Sequence, residues 1–158
     1  MPAFKFRLDF LVTLRRQREE EAALKLSRRL ASLAELEEKI QSLWARINEM
    51  ATEVKTLGQI GRLTGPLVRL YGEYQGRLRQ DLKKAEELLV LSRREEAKER
   101  QALIQAITAR EAIEKTRDRQ KENFILEDRR TEQNNLEEMA QIARARRLKQ
   151  TVESDEAS

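Results

Sequence analysis

The sequence of 158 residues contains no cysteine and no histidine, and only two prolines and five glycines. Without cysteine there is no disulfide framework, no thiolate metal site and no cysteine nucleophile. Without histidine the chain lacks the commonest metal ligand and the usual general base. Few positions can interrupt a helix, because proline and glycine are the residues that do so. We therefore expect long helices and neither an enzyme nor a cofactor.

Aromatic residues are also scarce, at 4%, whereas charged residues reach 38%. An average domain is about 25% charged, and a chain rich in Ala, Glu, Lys, Leu and Arg is typical of a coiled coil. No apolar run approaches the roughly 18 residues of a membrane span. Charges at Lys5, Arg7 and Asp9 interrupt any signal-peptide core. The composition favours an all-α protein of the cytoplasm with no transmembrane segment.

Charge of one sign does not dominate, since 32 Lys and Arg face 28 Asp and Glu and the signs alternate along the chain. Such interleaving builds little net field, which argues against nucleic acid as a partner. The densest cationic cluster, Arg144, Arg146, Arg147 and Lys149, leaves a basic helical nucleic-acid-binding protein as an alternative. Consecutive carboxylates such as Glu19–Glu21 point in different directions on a helix, so we predict no catalytic and no metal-binding residues.

The clearest pattern lies between residues 33 and 57, where apolar residues recur at alternating spacings of three and four. This spacing places them on one stripe of a helix, as in the seam of a coiled coil. Upstream, Leu26, Leu30 and Leu33 suggest a local change of spacing. The stripe consists of Leu33, Leu36, Ile40, Leu43, Ile47, Met50, Val54 and Leu57.

Residues 58–67 contain three of the five glycines and one of the two prolines. Gly58 can end a first helix, and Thr64 or Gly65 can start a second one with Pro66 in its first turn. A connection this short makes antiparallel neighbours the first choice. We predict a long antiparallel two-helix coiled coil (hairpin) with an overhanging C-terminal helix. Its single domain, 1–158, has helix 1 at about 5–57, a hinge at 58–65, helix 2 at about 66–149 and a frayed tail at 150–158.

Folding one helix back on the other predicts which residues face each other. Met50 lies opposite Tyr74 in this register, and Phe124 comes next to the N-terminus. All four phenylalanines then gather at the open end of the hairpin. Helix 2 outlasts helix 1, so residues 127–150 have no partner within the chain.

A polar interruption at residues 92–101 has a counterpart on helix 1 in the same register. It faces residues 23–32, where the apolar stripe is weak. There Arg28 and Arg29 can face Glu95 and Glu96. The agreement of the two weak stretches supports the pairing.

The N-terminal FKFRLDF, residues 4–10, holds three of the four phenylalanines. Its alternation of apolar and charged residues is strand-like, but an isolated strand is not stable and no second strand is predicted. As a helix it would present more apolar surface than one facing helix covers, which predicts docking to a partner. A peripheral membrane contact through its bulky apolar and basic residues is an alternative.

FKFRLDFLVTLRRQREEEAA, residues 4–23, resembles the start of the flagellar export protein FliJ family, and YGEYQGRL, residues 71–78, resembles a pattern near the start of that family's second helix. The resemblance implies a non-enzymatic, stalk-like coiled coil of the type III export apparatus. Such a protein binds and stimulates the hexameric export ATPase, couples it to the membrane export gate protein and interacts with substrate-specific export chaperones. It is cytoplasmic and peripherally associated with the cytoplasmic face of the membrane.

The resemblance also implies where two partners bind. The ATPase contact maps to the open end, at Phe4, Phe6, Leu8, Phe10 and Phe124. The gate contact maps near the hinge, at Leu43, Trp44, Met50, Tyr74 and Leu78. A generic coiled-coil scaffold or chaperone is the alternative function, and weak self-association is left open because narrow apolar stripes often recruit further helices.

Overall fold

A computed structural model describes residues 2–158 and contains two helices, α1 at Asp9–Gln59 and α2 at Gly65–Glu156. No strand occurs among residues 2–158. The predicted all-α architecture of two long helices packed against each other is confirmed. Contacts divide the chain into two compact units: unit 1 is Met1–Leu14 with Ala109–Ser158, and unit 2 is Arg15–Thr108.

The start of α1 differs from the prediction, because the helix begins at Asp9 and not near residue 5. Residues 2–6 have no regular secondary structure, and residues 7–8 form a turn. Asp9 occupies the first helical turn, where a negative charge is favourable, and its N–H donates to the carbonyl of Phe6 at 3.2 Å. Phe4 and Phe6 therefore precede the helix, and the prediction that residues 4–10 are helical is wrong for residues 4–8.

The end of α1 is set by Gly61 and not by the predicted Gly58. Gly61 has a φ of 70°, in the left-handed region that glycine adopts without steric cost. The N–H of Arg62 donates to the carbonyl of Leu57 at 3.0 Å, and the N–H of Gly61 donates to the carbonyl of Gly58 at 3.3 Å. This is the hydrogen-bond pairing of a Schellman motif, which satisfies the last carbonyls of the helix.

The start of α2 agrees with the sequence. The carbonyl of Thr64 accepts a hydrogen bond from the N–H of Val68 at 2.9 Å, and α2 begins at the next residue, Gly65. Pro66 lies in the first turn, where its missing N–H leaves no hydrogen bond unmade. The chain therefore reverses within residues 60–64.

The C-terminal end of α2 lies at Glu156, beyond the predicted end near residue 149. Residues 150–156, the greater part of the predicted frayed tail, are helical in the structure. No proline or glycine follows Gly76, so no residue in this stretch breaks the helical hydrogen bonds. The small and acidic residues of this stretch are compatible with a helix.

In unit 2 the two helices pack antiparallel along the predicted seam. Its buried cluster consists of Ile47, Met50, Leu78 and Leu82. Met50 is the most enclosed large side chain, with 2% of its surface exposed. The heptad positions predicted for α1 are confirmed here, but Met50 packs with Leu78 and Leu82 instead of lying opposite Tyr74.

The register of the helices is shifted from the prediction by about one helical turn. Arg29 pairs with Glu99 at 3.3 Å, where Glu95 or Glu96 was expected, and Arg93 pairs with Glu37 at 3.4 Å. Side chains on a helix lean toward its N-terminus, so those on α1 lean away from the connection while those on α2 lean toward it. The α2 residue that contacts a given α1 side chain therefore lies further from the connection than the α2 residue whose backbone is directly opposite.

The predicted change of heptad spacing near residue 30 is also wrong. Leu26 and Leu33 are buried, whereas Leu30 is 43% exposed. Arg29 is half-buried and occupies the seam position between the two leucines. The spacing 26, 29, 33 keeps the alternation of three and four, so a charged residue continues the stripe.

Candidate partner-binding surfaces

In unit 1 the N-terminal segment packs against α2 through aromatic rings. The ring centroids of Phe4 and Phe124 are 5.6 Å apart, and the ring planes are inclined by 50°. This is a favourable geometry for an aromatic pair. The predicted approach of Phe124 to the N-terminal segment is therefore confirmed.

Phe6 lies in the same region as Phe4, and only 9% of its surface is exposed. Phe4 and Phe6 line one open groove of about 530 Å³. The remaining groove residues are charged: Lys5, Asp9, Arg117, Asp118 and Lys121. Leu8 is half-buried. The rings of Phe4 and Phe6 therefore serve to hold the N-terminal segment in place.

Phe10 differs from the other three phenylalanines, because 66% of its surface is exposed on the first turn of α1. Leu14, four residues on and on the same side of the helix, is 37% exposed. Val12 lies on the opposite side and is 2% exposed. Unit 1 thus turns Val12 inward and presents Phe10 and Leu14 to solvent.

Three of the five residues predicted to contact the export gate lie in the interhelical core of unit 2. Met50 and Leu78 are 2% and 8% exposed, and Leu43 packs against their cluster. Trp44 and Tyr74 are the accessible members of the set, at 48% and 41% exposed. The core residues cannot reach a partner while the two helices stay packed.

Tyr74 contacts the charged side chain of Arg46 on the surface of unit 2. The guanidinium carbon of Arg46 lies 5.7 Å from the centre of the Tyr74 ring, a cation–π contact. Arg46 also donates to Glu49 at 3.1 Å and lies 3.7 Å from Glu53. Tyr74 and then Glu49 make the largest contributions that raise the pKa of Arg46 above its ordinary value. Arg46 is therefore a permanent positive charge beside the exposed ring.

An open groove of about 370 Å³ lies beside Tyr74 and includes Leu67, Leu70 and Arg46 among its lining residues. Leu70 is 62% exposed. Leu70 and Tyr74 lie outside the seam, because Tyr71 and Leu78 fill the seam positions of this stretch. Strict heptad assignment of α2 would have identified Leu70 and Tyr74 as surface residues.

Trp44 and Tyr74 do not form one surface. Trp44 is two residues from Arg46 on α1, which is about 200° around the helix at 100° per residue. Because Arg46 contacts Tyr74, Trp44 points to the other side of the helix pair. The structure therefore separates the two accessible residues of the predicted gate contact.

Residues 2–158 lack two features: a helix that could cross a membrane and a group of side chains that could hold a metal ion. Neither helix has a segment of the length and apolarity that a bilayer crossing requires. The same residues contain no group of three or more acidic side chains placed to hold a metal ion.

Comparison with protein families gave a match to the model described as Flagellar FliJ protein, over residues 4–149. Comparison with curated proteins and with solved structures gave no match. The matched range covers the N-terminal segment, all of α1 and α2 up to residue 149, and it includes every predicted contact residue.

Proposed function

Because the chain belongs to the FliJ family, and is thus a component of flagellar protein export, we propose that it is a non-enzymatic coiled-coil stalk that binds and stimulates the hexameric export ATPase. It couples the ATPase to the membrane export gate protein and contacts substrate-specific export chaperones. It works at the cytoplasmic face of the membrane through these partners. A chain without histidine or cysteine suits such a role, because binding requires no catalytic group.

The mechanism is allosteric. A pair of helices has different faces, so it contacts the subunits of a ring unequally. A ligand shifts a conformational equilibrium only by its differential affinity for the states involved. Unequal contacts therefore stabilise particular subunit states of the ATPase, which is how the stalk promotes hydrolysis without taking part in the chemistry.

The exposure of Phe10 is the main observation that supports the ATPase contact. Phe4, Phe6 and Phe124 are engaged within unit 1, whereas Phe10 is 66% exposed at the start of α1. Exposed aromatic side chains are enriched among the residues that dominate binding interfaces. We therefore assign the ATPase contact to Phe10 with Leu14, and a supporting role to the packed rings.

Replacing Phe10 with alanine should weaken ATPase binding by about tenfold to a hundredfold, the effect of losing an aromatic residue that dominates an interface. The helix content and the stability of the chain should change little, because the ring is mostly in water. Binding of the labelled chain to the purified export ATPase, followed by fluorescence anisotropy, measures the first effect. Circular dichroism measures the second.

Phe6→Ala is the matched comparison. Phe6 is 9% exposed, so its removal should lower the stability of unit 1 before it affects binding. If Phe10→Ala binds the ATPase as tightly as the original chain, the assigned surface is wrong. If the original chain does not bind the ATPase at all, the proposed function fails and a generic scaffold becomes the better account.

For the gate contact we assign the side of unit 2 that carries Tyr74. Leu70 and Tyr74 offer exposed apolar surface beside a groove, and Arg46 adds a fixed positive charge. The opposite side offers Trp44. A groove that combines leucines with an exposed tyrosine and an arginine contains residue types found in binding hot spots.

Tyr74→Ala should therefore weaken binding to the cytoplasmic domain of the gate protein by about tenfold or more. Trp44→Ala removes a similarly exposed aromatic ring from the other side and should leave this affinity unchanged. Isothermal titration calorimetry with both variants makes the comparison. Loss of binding by Trp44→Ala alone would move the gate contact to the opposite side.

A further inference from the structure

The last part of α2 has an apolar face that nothing in residues 2–158 covers. Every residue from 131 to 158 is exposed, and Leu136 and Met139 are each 67% exposed. Single exposed apolar side chains are common on proteins. Here Leu136, Met139, Ala140 and Ala143 follow helical spacing and share one face, which we call the C-terminal face.

Opposite charges bracket the C-terminal face at equal distances. Glu132 lies four residues before Leu136, and Arg147 lies four residues after Ala143. At 100° per residue, both charged residues fall within about 40° of Leu136 around the helix. The arrangement is symmetric about a point between residues 139 and 140, with the sign of charge inverted from one side to the other.

The side chains of Glu132 and Arg147 form no ion pair within the described chain. Glu132 does not pair with Arg129, three residues before it, although other basic residues of α2 pair with glutamates three or four residues away. Arg147 has no carboxylate within four residues along the chain. The charged ends of the C-terminal face are therefore available to a partner.

We propose that the C-terminal face binds the same face of a second copy of this chain in an antiparallel pair. With the twofold axis between residues 139 and 140, Leu136 meets Ala143 of the other copy and Glu132 meets its Arg147. Such an isologous contact forms every interaction twice. A parallel pair would instead place Glu132 against Glu132 and Arg147 against Arg147, where like charges repel. The order of the charges selects the antiparallel second copy as the occupant.

The size of the C-terminal face sets the strength of the association. Residues 132–147 span about 22 Å of helix, and the apolar part is shorter still. Stable protein interfaces bury about 1,200–2,000 Å² in total, more than two such helices provide. The pair is therefore weak and concentration-dependent, and its affinity falls with added salt because screened ion pairs fix its register.

The test is sedimentation equilibrium of the full chain over a wide range of concentration. Glu132→Arg replaces both attractive pairs of the dimer with Arg–Arg contacts, and Arg147→Glu replaces both with Glu–Glu contacts. Each variant alone should raise the dissociation constant of the dimer about tenfold. An equimolar mixture of the two variants should recover the original affinity, because every charged contact in the mixed dimer is attractive again.

Glu138→Arg is the matched control. Residue 138 is about 200° from Leu136 around the helix, so its reversal changes the net charge equally but leaves the C-terminal face intact. Self-association should be unchanged in this variant. The proposal is overturned if the original chain stays monomeric throughout, if Glu138→Arg weakens the dimer as much as Glu132→Arg, or if mixing fails to restore affinity. No export partner is present, so this outcome is independent of the function proposed above.

Discussion

Replacing Met50 with alanine should lower the free energy of unfolding by about 2–5 kcal/mol, the cost of deleting a buried methionine side chain. Met50 is 2% exposed and sits among Ile47, Leu78 and Leu82. A two-helix seam has no further layer that could move in to fill the space. Urea denaturation followed by circular dichroism measures the change, with an unaltered slope indicating that the unfolded state is unaffected.

Leu70→Ala provides the comparison for Met50→Ala. Leu70 is 62% exposed on the same unit, so its truncation should change stability by no more than about 0.5 kcal/mol. Equal effects of the two substitutions would show that Met50 is not part of a packed seam. The result also bears on the gate contact, since reduced gate binding by Met50→Ala would reflect a damaged core and not a lost contact.

Removing the carboxylate of Glu99 should destabilise unit 2 by about 1–3 kcal/mol, because Arg29 then keeps a partly buried charge without a partner. Replacing both residues with leucine should have the opposite sign and stabilise the protein by about 1–4 kcal/mol. The two side chains are 33% and 23% exposed, so the effect of the single change stays below that of a fully buried pair. Denaturation of Arg29→Leu, Glu99→Leu and the double leucine variant forms a double-mutant cycle.

The reason for the expected gain lies in two atoms of the pair. Nε of Arg29 and Oε2 of Glu99 are buried and have no hydrogen-bond partner, so the pair gives up solvation that it does not fully recover. Both residues lie in the seam, where leucine extends the apolar stripe between Leu26 and Leu33. A polar position in a coiled-coil seam favours one register over others. We infer that Arg29 and Glu99 fix the register of the helices at the expense of stability.

Glu37→Ala serves as the control for the Arg29–Glu99 pair. Glu37 pairs with Arg93 across the same helices, but their side chains are 51% and 62% exposed. Exposed ion pairs contribute about 0–1 kcal/mol, so this change should be small. A stability loss in Glu37→Ala as large as that in Glu99→Ala would contradict the special role of the seam pair. So would a leucine double variant less stable than the original.

The fold could be predicted from the sequence wherever apolar spacing is strict. Residues 33–57 gave the seam of α1, and the cluster of glycines and proline after it gave the reversal of the chain. The register could not be predicted to better than a turn, because it depends on how side chains lean and how far Arg29 and Glu99 reach. The stripe upstream of Leu33 was not predicted, because Arg29 occupies a seam position at which an apolar residue is expected.

The locations of the candidate sites could be predicted from the sequence, but the exposure of their individual residues could not. The predicted pairing of the two helices placed Phe124 next to the N-terminal segment, as the structure confirms. It could not distinguish Phe6 from Phe10, because their exposure depends on α1 starting at Asp9. Near the connection, Tyr74 and Met50 looked equivalent as stripe residues, whereas packing buries one and exposes the other. Such differences arise from helix boundaries and register, which spacing alone leaves undetermined.

We propose that this chain acts on the export ATPase by binding and not by chemistry. The most direct measurement is the rate of ATP hydrolysis by the purified export ATPase with increasing amounts of the full chain. We expect the rate to rise to a plateau and the chain alone to hydrolyse nothing. Phe10→Ala should need a higher concentration to reach the same plateau. A rate that stays flat with the original chain, at concentrations where the ATPase is assembled and active, would contradict the claim.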